Sequence, residues 1–182
     1  MTGVLAGFAL ICSAYPSVAQ EKGKTAATEL ASTSQAALKK LYATVPLAKE
    51  LGPKAHAILV FPSVTKAGLG IGGQYGEGAL LKGGTAVAYY KTTGASFGLQ
   101  AGGQKYGYAM IFMNAKALEQ LDNKNGFEVG VGPSVVLVDE GMAKTTTTST
   151  LKDDIYAFVF GQKGLMAGLG IQGNKITKIT PK

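Results

Sequence analysis

The chain has 182 residues, a length that suits one domain better than two. Apolar residues make up 46% of it, which is ordinary for a globular protein and excludes a mainly disordered chain. The net charge is +7, but every basic residue is a lysine. Because arginine is the usual bidentate reader of guanine, the composition argues against sequence-specific DNA recognition, and we expect no nucleic-acid partner.

The first predicted element is an export signal. Residues 4–12 (VLAGFALIC) form an apolar run of signal-peptide length that is too short to span a bilayer as a stable helix. Ser17 and Ala19 are small residues at the −3 and −1 positions of a signal-peptidase site. We therefore expect a signal peptide over 1–19, cleavage near Ala19, and an exported protein of the periplasm or cell envelope. The alternative is a buried apolar N-terminal helix.

Cys12 is the only cysteine in the chain. A lipoprotein would carry its acyl chain on this residue, but such a site normally has a small residue directly before the cysteine and leucine three positions before. Ile11 and Ala9 occupy those positions, so a lipid anchor is the less favoured interpretation. Cleavage near Ala19 would remove the cysteine, and with it disulfides, thiol catalysis and cysteine-ligated metals.

Residues 25–44 are predicted to form an amphipathic helix, because they contain neither glycine nor proline and their apolar residues recur at helical spacing. The residues of that face are Leu30, Ser34, Ala37, Leu38 and Leu41. A short second helix is predicted from Pro46 to Leu51, since proline favours a first turn and the following Gly-Pro ends the element.

From residue 57 onward the pattern predicts strands separated by glycine-rich turns. One helical insert interrupts them, capped by Asn114, carrying Leu118 and Leu121, and ending at Asn125-Gly126. The predicted strands are 57–61, 68–80, 85–90, 95–103, 106–113, 127–132, 134–139, 155–160 and 165–173.

The fold class expected from this order is α+β. Strands and helices do not alternate along the chain as they would in a parallel sheet. We therefore expect N-terminal helices packed on an antiparallel β-sandwich or barrel-like sheet, with one short helical insert. The threonine run 145–150 is interpreted as an edge strand or hairpin arm. The segment AGLGI occurs at 67–71 and 167–171 and predicts two equivalent hairpins.

Two segments match the letters of a cofactor-binding or catalytic motif but lack the sequence context that the motif requires. Residues 68–73 satisfy G-x-G-x-x-G, but the glycines that follow are incompatible with the helix that a dinucleotide site requires. Residues 94–98 satisfy G-x-S-x-G, but a nucleophile elbow needs a histidine after its serine, and the only histidine, His56, precedes Ser96. Both segments are interpreted as strands.

The acidic residues are scattered, with two adjacent pairs, Asp139-Glu140 and Asp153-Asp154, beside predicted turns. Neighbouring residues of a strand point to opposite faces, so these carboxylates do not converge on one atom. We therefore expect no enzyme activity, no metal site and no cofactor.

The N-terminal lysines are the more informative charges. A helix with an apolar stripe beside lysines can lie on an anionic membrane surface. The alternative, which we favour from the residues alone, is a helix that packs against the core and leaves its lysines in solvent.

The stretch HAILVFPSVTKAGLGIGGQYGEGAL (56–80) resembles the start of the SYLF domain, a lipid-binding family that has a secreted bacterial branch. LYATVPLAKEL (41–51) resembles its helical lead-in, and blocks at 95–104, 117–121, 130–139 and 158–176 resemble later parts in the right order. The resemblance covers about residues 30–180. It implies a single SYLF-like domain over 20–182, with a helical lead-in at 25–53 and a β-rich body at 55–180.

Eukaryotic members of the family bind phosphoinositides and in some cases actin, so the resemblance implies affinity for anionic lipid through a basic N-terminal region. An exported protein would meet neither phosphoinositides nor actin, so actin binding is not expected and an envelope lipid or membrane surface is. The alternative is a structural or protein-binding envelope module without lipid specificity. The residues predicted to bind lipid are Lys22, Lys24, Lys39, Lys40, Lys49 and Lys54.

Overall fold

The computed structural model describes residues 18–98, 103–123, 125–130, 135–145, 151–161, 164–165 and 170–182. Helix α1 spans Val18–Thr44 and α2 spans Pro46–Leu51, followed by a 3-10 turn at Gly52–Lys54. The predicted bounds of α2 are confirmed. Helix α1 begins seven residues earlier than predicted, so the predicted cleavage position, Ala19, lies within it.

The other described residues form one curled, eight-stranded sheet with two further short helices, which confirms the α+β class. The strands follow the spatial order β4-β8-β2-β1-β3-β6-β5, with β7 paired to β6. The helices are α3 (Ala115–Glu119) and α4 (Glu140–Thr145). The strands are β1 (Ala57–Lys82), β2 (Thr85–Gly98), β3 (Gln104–Phe112), β4 (Phe127–Glu128), β5 (Val135–Val138), β6 (Ile155–Gly161), β7 (Gly164–Leu165) and β8 (Lys175–Ile179).

The sheet is mixed, whereas a purely antiparallel sheet was expected. Strands β5 and β6 run parallel, while the other neighbours are antiparallel. A parallel pair needs a connection of about a dozen residues or more. Residues 139–154, which include α4, supply that connection.

Strand β1 is a continuous element that doubles back on itself. Its first arm, 57–66, pairs with β3, and its second arm, 70–82, pairs with β2. The arms lie side by side, because a Cβ at Gly78 would meet the Phe61 ring at 2.8 Å and one at Gly76 would meet Val64 Cγ2 at 2.7 Å. The two predicted strands, 57–61 and 68–80, are therefore neighbours within this element.

The sheet separates two apolar clusters. On its outer face, α1, α2 and α4 pack over residues from the central strands, including Val60, Ala79 and Phe158. Its inner, concave face encloses a second cluster with tyrosines at its centre, including Tyr106 and Tyr108. Alternating residues of each central strand contribute to one cluster or the other, as the strand period of two requires.

The predicted helical insert is confirmed as a short α-helix followed by a 3-10 turn. Asn114 caps α3 by accepting a 2.8 Å hydrogen bond from the backbone N–H of Ala117, and a 3-10 turn at Gln120–Asp122 follows. Gly126 then turns the chain with φ at +81°, a conformation that favours glycine.

Three details of the sequence interpretation differ from the structure. Thr145 ends a helix and does not belong to a strand, while residues 146–150 lie outside the described residues. In the second AGLGI segment, 170–171 are not in a strand and 167–169 lie outside the described residues, so equivalence with the first copy is not observed. Strand β8 was not predicted at all, because its lysines interrupt the apolar pattern.

Candidate functional site

The described lysines of the predicted lipid-binding set all lie on the helical lead-in and are exposed. Lys24, Lys39 and Lys40 lie on α1, whereas Lys49 lies on α2 and Lys54 ends the 3-10 turn. Lys22 lies in α1, and its side chain is outside the described residues. The lead-in thus places five lysine side chains in solvent on the outer side of the sheet.

The apolar face of α1 is occupied by the core of the protein. Leu38 and Leu41 are buried against the outer face of the sheet. Ser34 Oγ donates a 3.4 Å hydrogen bond to the carbonyl oxygen of Val60, and Gln35 Nε2 donates one of 2.7 Å to Gly84 O. The second half of α1 therefore packs on the sheet and leaves its lysines in solvent, the arrangement favoured from the residues alone.

The second arm of β1 carries the other unusual surface. Ile71 and Tyr75 leave 75% and 50% of their surface exposed. The Tyr75 hydroxyl donates a 2.5 Å hydrogen bond to Glu77 Oε1, and this bond, with a contribution from burial, raises the pKa of Tyr75. Nothing in the sequence pattern singles out either residue, since an apolar residue of an alternating strand looks the same whether its face of the sheet is covered or exposed.

Inside the curl lies a polar cluster that the sequence analysis also missed. Tyr106 donates a 2.5 Å hydrogen bond to Gln74 Oε1, and Gln74 Nε2 donates one of 2.5 Å to Asn174 Oδ1 and one of 3.2 Å to Gly170 O. Gly94 makes room for this arrangement, because a Cβ there would collide with Asn174 Oδ1. A glutamine within an alternating strand was the available signal.

A tyrosine pair extends this cluster. Tyr108 donates a 2.7 Å hydrogen bond to Thr92 Oγ1, and its ring centroid lies 6.4 Å from that of Tyr106. Burial raises the pKa of Tyr106 to about 12 and raises that of Tyr108 as well. Both hydroxyls therefore stay protonated and act as hydrogen-bond donors at neutral pH.

The two motif matches lie in strands, as the sequence analysis concluded. Residues 68–73 belong to β1 and 94–98 belong to β2, and neither segment leads into a helix. The side chain of His56 is exposed, and its backbone N–H donates a 2.8 Å hydrogen bond to Phe112 O.

The acidic pairs have structural contacts. Asp139 Oδ1 accepts a 2.7 Å hydrogen bond from the N–H of Met142 in the first turn of α4. Asp154 Oδ1 accepts one of 2.6 Å from Asn114 Nδ2, and the N–H of Asp153 donates one of 2.7 Å to the Tyr156 hydroxyl. The carboxylates of Asp139 and Asp154 therefore stabilise local structure.

Few other features in the part of the chain that the structure describes have the chemistry of a site. No group of three histidine, cysteine or acidic residues there could hold a metal ion, and no helix there is long and apolar enough to cross a membrane. A pocket of about 300 Å³ lies between the 3-10 turn after α3 and β8. An ion pair of 4.0 Å between Lys178 and Asp122, both of which line this pocket, joins two exposed side chains.

Comparison with protein families gives a match over residues 93–180 to the family described as Ysc84: Las17-binding protein actin regulator. The matched segment runs from β2 to the residue after β8 and includes Asn174 and both central tyrosines. The match over residues 93–180 is consistent with a SYLF-domain family. The resemblance recognised in the sequence is thereby confirmed over that range. No curated protein matches the chain.

Proposed function

We propose that the chain is a non-enzymatic SYLF-type binding domain that associates peripherally with anionic phospholipid. The single observation that carries this proposal is the exposure of the five described lysines on a helical lead-in whose apolar face is already used by the core. Each lysine near an anionic surface contributes on the order of 1 kcal/mol, and several act together. The family match supports a lipid- or actin-binding type of domain.

Export to the periplasm or cell envelope is part of the proposal and rests on the N-terminal sequence alone. The apolar run at 4–12 and the small residues Ser17 and Ala19 support it. In that compartment an anionic membrane surface is a partner whose charge is complementary to exposed lysines. Mass spectrometry of the protein recovered from its cells tests this part: an N-terminus at Gln20 is expected, whereas an acylated Cys12 would make the protein a lipoprotein.

Co-sedimentation with vesicles tests the lipid proposal. The full chain is pelleted with phosphatidylcholine vesicles with and without phosphatidylglycerol. The double variant Lys39→Glu, Lys40→Glu is compared with Lys116→Glu, Lys152→Glu, which carries the same net charge and also changes exposed lysines. We expect binding only to the anionic vesicles, with a several-fold loss for the first variant and little for the second. Equal binding to both vesicle types would refute the proposal.

The alternative is a structural or protein-binding module without lipid specificity. The family description names binding to Las17 and regulation of actin, which makes a protein partner the second candidate. This alternative predicts equal pelleting with both vesicle types and a protein captured equally well by the chain and by the Lys39→Glu, Lys40→Glu variant.

A further inference from the structure

The exposed apolar residues of β1 lie on the same side of the sheet as the helices. Ala79 packs in the outer cluster together with residues of α1. The register between β1 and β2 is regular from Gly70 to Leu80, so side chains alternate strictly along this arm. Tyr75 and Ile71, four and eight residues before Ala79, therefore share its outer face. Both are exposed and lie in the half of the arm nearer the fold-back of β1.

Lysines flank this position on both sides. Tyr75 pairs with Thr93 on β2, and Thr93 pairs with Lys175 on β8. On the other side Thr65 pairs with Lys105 on β3. Since Val64 lies opposite Gly76 where the arms meet, Thr65 is the neighbour of Tyr75. Each lysine is thus two strands from Tyr75, about 10 Å away at the usual strand spacing, and both lysines are exposed.

The charged residues around Tyr75 carry a small positive net charge even when the nearby glutamates are included. Glu77 accepts a hydrogen bond from the Tyr75 hydroxyl and lies opposite Lys91 of β2 in the strand register. Glu128 on β4 lies opposite Lys175. The strand positions around Tyr75 therefore carry three lysines, Lys91, Lys105 and Lys175, and these two glutamates. The chain as a whole carries +7.

The surroundings identify the occupant. Both arms of β1 are paired, to β2 and to β3, so this surface offers no open strand edge for an added peptide strand. Two exposed side chains also cover far less than the roughly 800 Å² per partner of a stable protein interface. An aliphatic side chain, a tyrosine of mixed polarity and flanking lysines instead match the boundary between headgroups and acyl chains of an anionic bilayer.

We propose that the end of the β1 arm, marked by Ile71 and Tyr75, enters the headgroup region of an anionic membrane while Lys105 and Lys175 contact the lipid phosphates. This inference rests on the proposed lipid function and adds a second, sheet-borne contact to the lysines of the lead-in. It assigns Ile71 the deepest position, since it is nearest the fold-back and the more exposed of the two.

The chain contains no tryptophan, so a single introduced indole is a unique fluorescent reporter. We would compare Ile71→Trp with Val87→Trp in the full chain. Val87 is a matched control because it is also exposed, at 54%. It lies on β2 near the other end of the β1–β2 pair, where the register shifts opposite Leu80 and Leu81. Emission is recorded with vesicles of phosphatidylcholine and phosphatidylglycerol, with and without brominated acyl chains, while pelleting measures binding separately.

We expect the indole at position 71 to shift to shorter wavelength on binding and to lose at least half of its emission to brominated lipid, with little change at position 87. Pelleting of both variants without a shift at position 71 would overturn this inference and leave the proposed function standing. Absence of pelleting would overturn both. A shift at position 71 that rises with protein concentration in the absence of vesicles would identify a second copy of the chain as the occupant and would also overturn it.

Discussion

Tyr106 on β3 donates its hydroxyl hydrogen to Oε1 of Gln74 on β1 at 2.5 Å, inside the concave face of the sheet. Both residues are buried, and the same glutamine donates to Asn174 beside β8. The hydrogen bonds thereby join a central strand to its neighbour and to the C-terminal part of the chain. A buried polar group that loses its partner incurs the full desolvation cost, so this contact holds the curl in one register.

Removing that hydroxyl should destabilise the fold. We expect Tyr106→Phe to lower the free energy of unfolding by about 1–3 kcal/mol, because Gln74 Oε1 would remain buried without its donor. Tyr75→Phe is the matched control, since its hydroxyl bonds Glu77 in solvent, and it should change stability by less than about 0.5 kcal/mol. Urea unfolding followed by circular dichroism measures both. Equal effects would contradict the structural role given to the cluster.

Alkaline pH should unfold the protein through the two buried tyrosines. The pKa of Tyr106 is raised to about 12, whereas an unfolded tyrosine titrates near 10. The unfolded state therefore loses its proton first, and the stability present below pH 10 falls as the pH rises through 12. Absorbance at 295 nm should show a late ionisation step to which both tyrosines contribute, and the double variant Tyr106→Phe, Tyr108→Phe should reduce the amplitude of that step. Ionisation of all tyrosines near pH 10 in the folded protein would contradict it.

Gly78 should tolerate no side chain. A Cβ there would meet the Phe61 ring at 2.8 Å and the Val60 carbonyl even more closely, so we expect Gly78→Ala to cost about 1–3 kcal/mol. Gly73 lies on the same arm, and its Cβ would meet nothing closer than 3.9 Å. Gly73→Ala should therefore be neutral or slightly stabilising, because alanine restricts the unfolded chain. Thermal unfolding of the two variants separates these outcomes, and a similar loss in both would disprove the close approach of the arms.

Local sequence signals predicted the elements whose ends they specify. Pro46 marked the start of α2, and Asn114 and Gly126 marked the ends of the helical insert. Threonine's preference for strands failed at Thr145, where the Asp139 cap and the following N–H bonds form a helix. The α+β class could thus be predicted from the sequence, because helix caps and turns are specified by a few neighbouring residues.

Contacts between distant residues were not readable in this way. Gln74 and Asn174 are 100 residues apart in the chain, and nothing local indicates that they meet. The parallel pairing of β5 with β6 depends in the same way on how the whole sheet closes. The exposure of Lys39 and Lys40 could not be derived from their positions in the chain, because it depends on the packing of α1 on the sheet through Leu38 and Leu41.

The cap of α3 should contribute measurably to stability. Asn114 accepts the N–H of Ala117 and donates to Asp154, so Asn114→Ala removes two contacts at once. We expect a loss of about 1–2 kcal/mol. Asn114→Ser keeps a capping oxygen and should recover most of the loss, as measured by chemical denaturation. A serine variant as unstable as the alanine variant would assign the effect to the Asp154 contact instead of the cap.

Salt should weaken vesicle binding steeply, and replacing lysine by arginine should reduce that loss. Because all the basic residues are lysines, the attraction to an anionic surface is a sum of point charges and not a set of bidentate contacts. Such an attraction is screened when the Debye length falls below about 10 Å, at roughly 0.1 M salt. Binding of the full chain to phosphatidylglycerol vesicles should therefore drop many-fold between about 0.05 and 0.3 M salt. The variant Lys39→Arg, Lys40→Arg should keep more binding at each salt concentration, because a guanidinium group can contact a phosphate through two hydrogen bonds. Binding of the unchanged chain that survives high salt would point to apolar insertion as the main contribution.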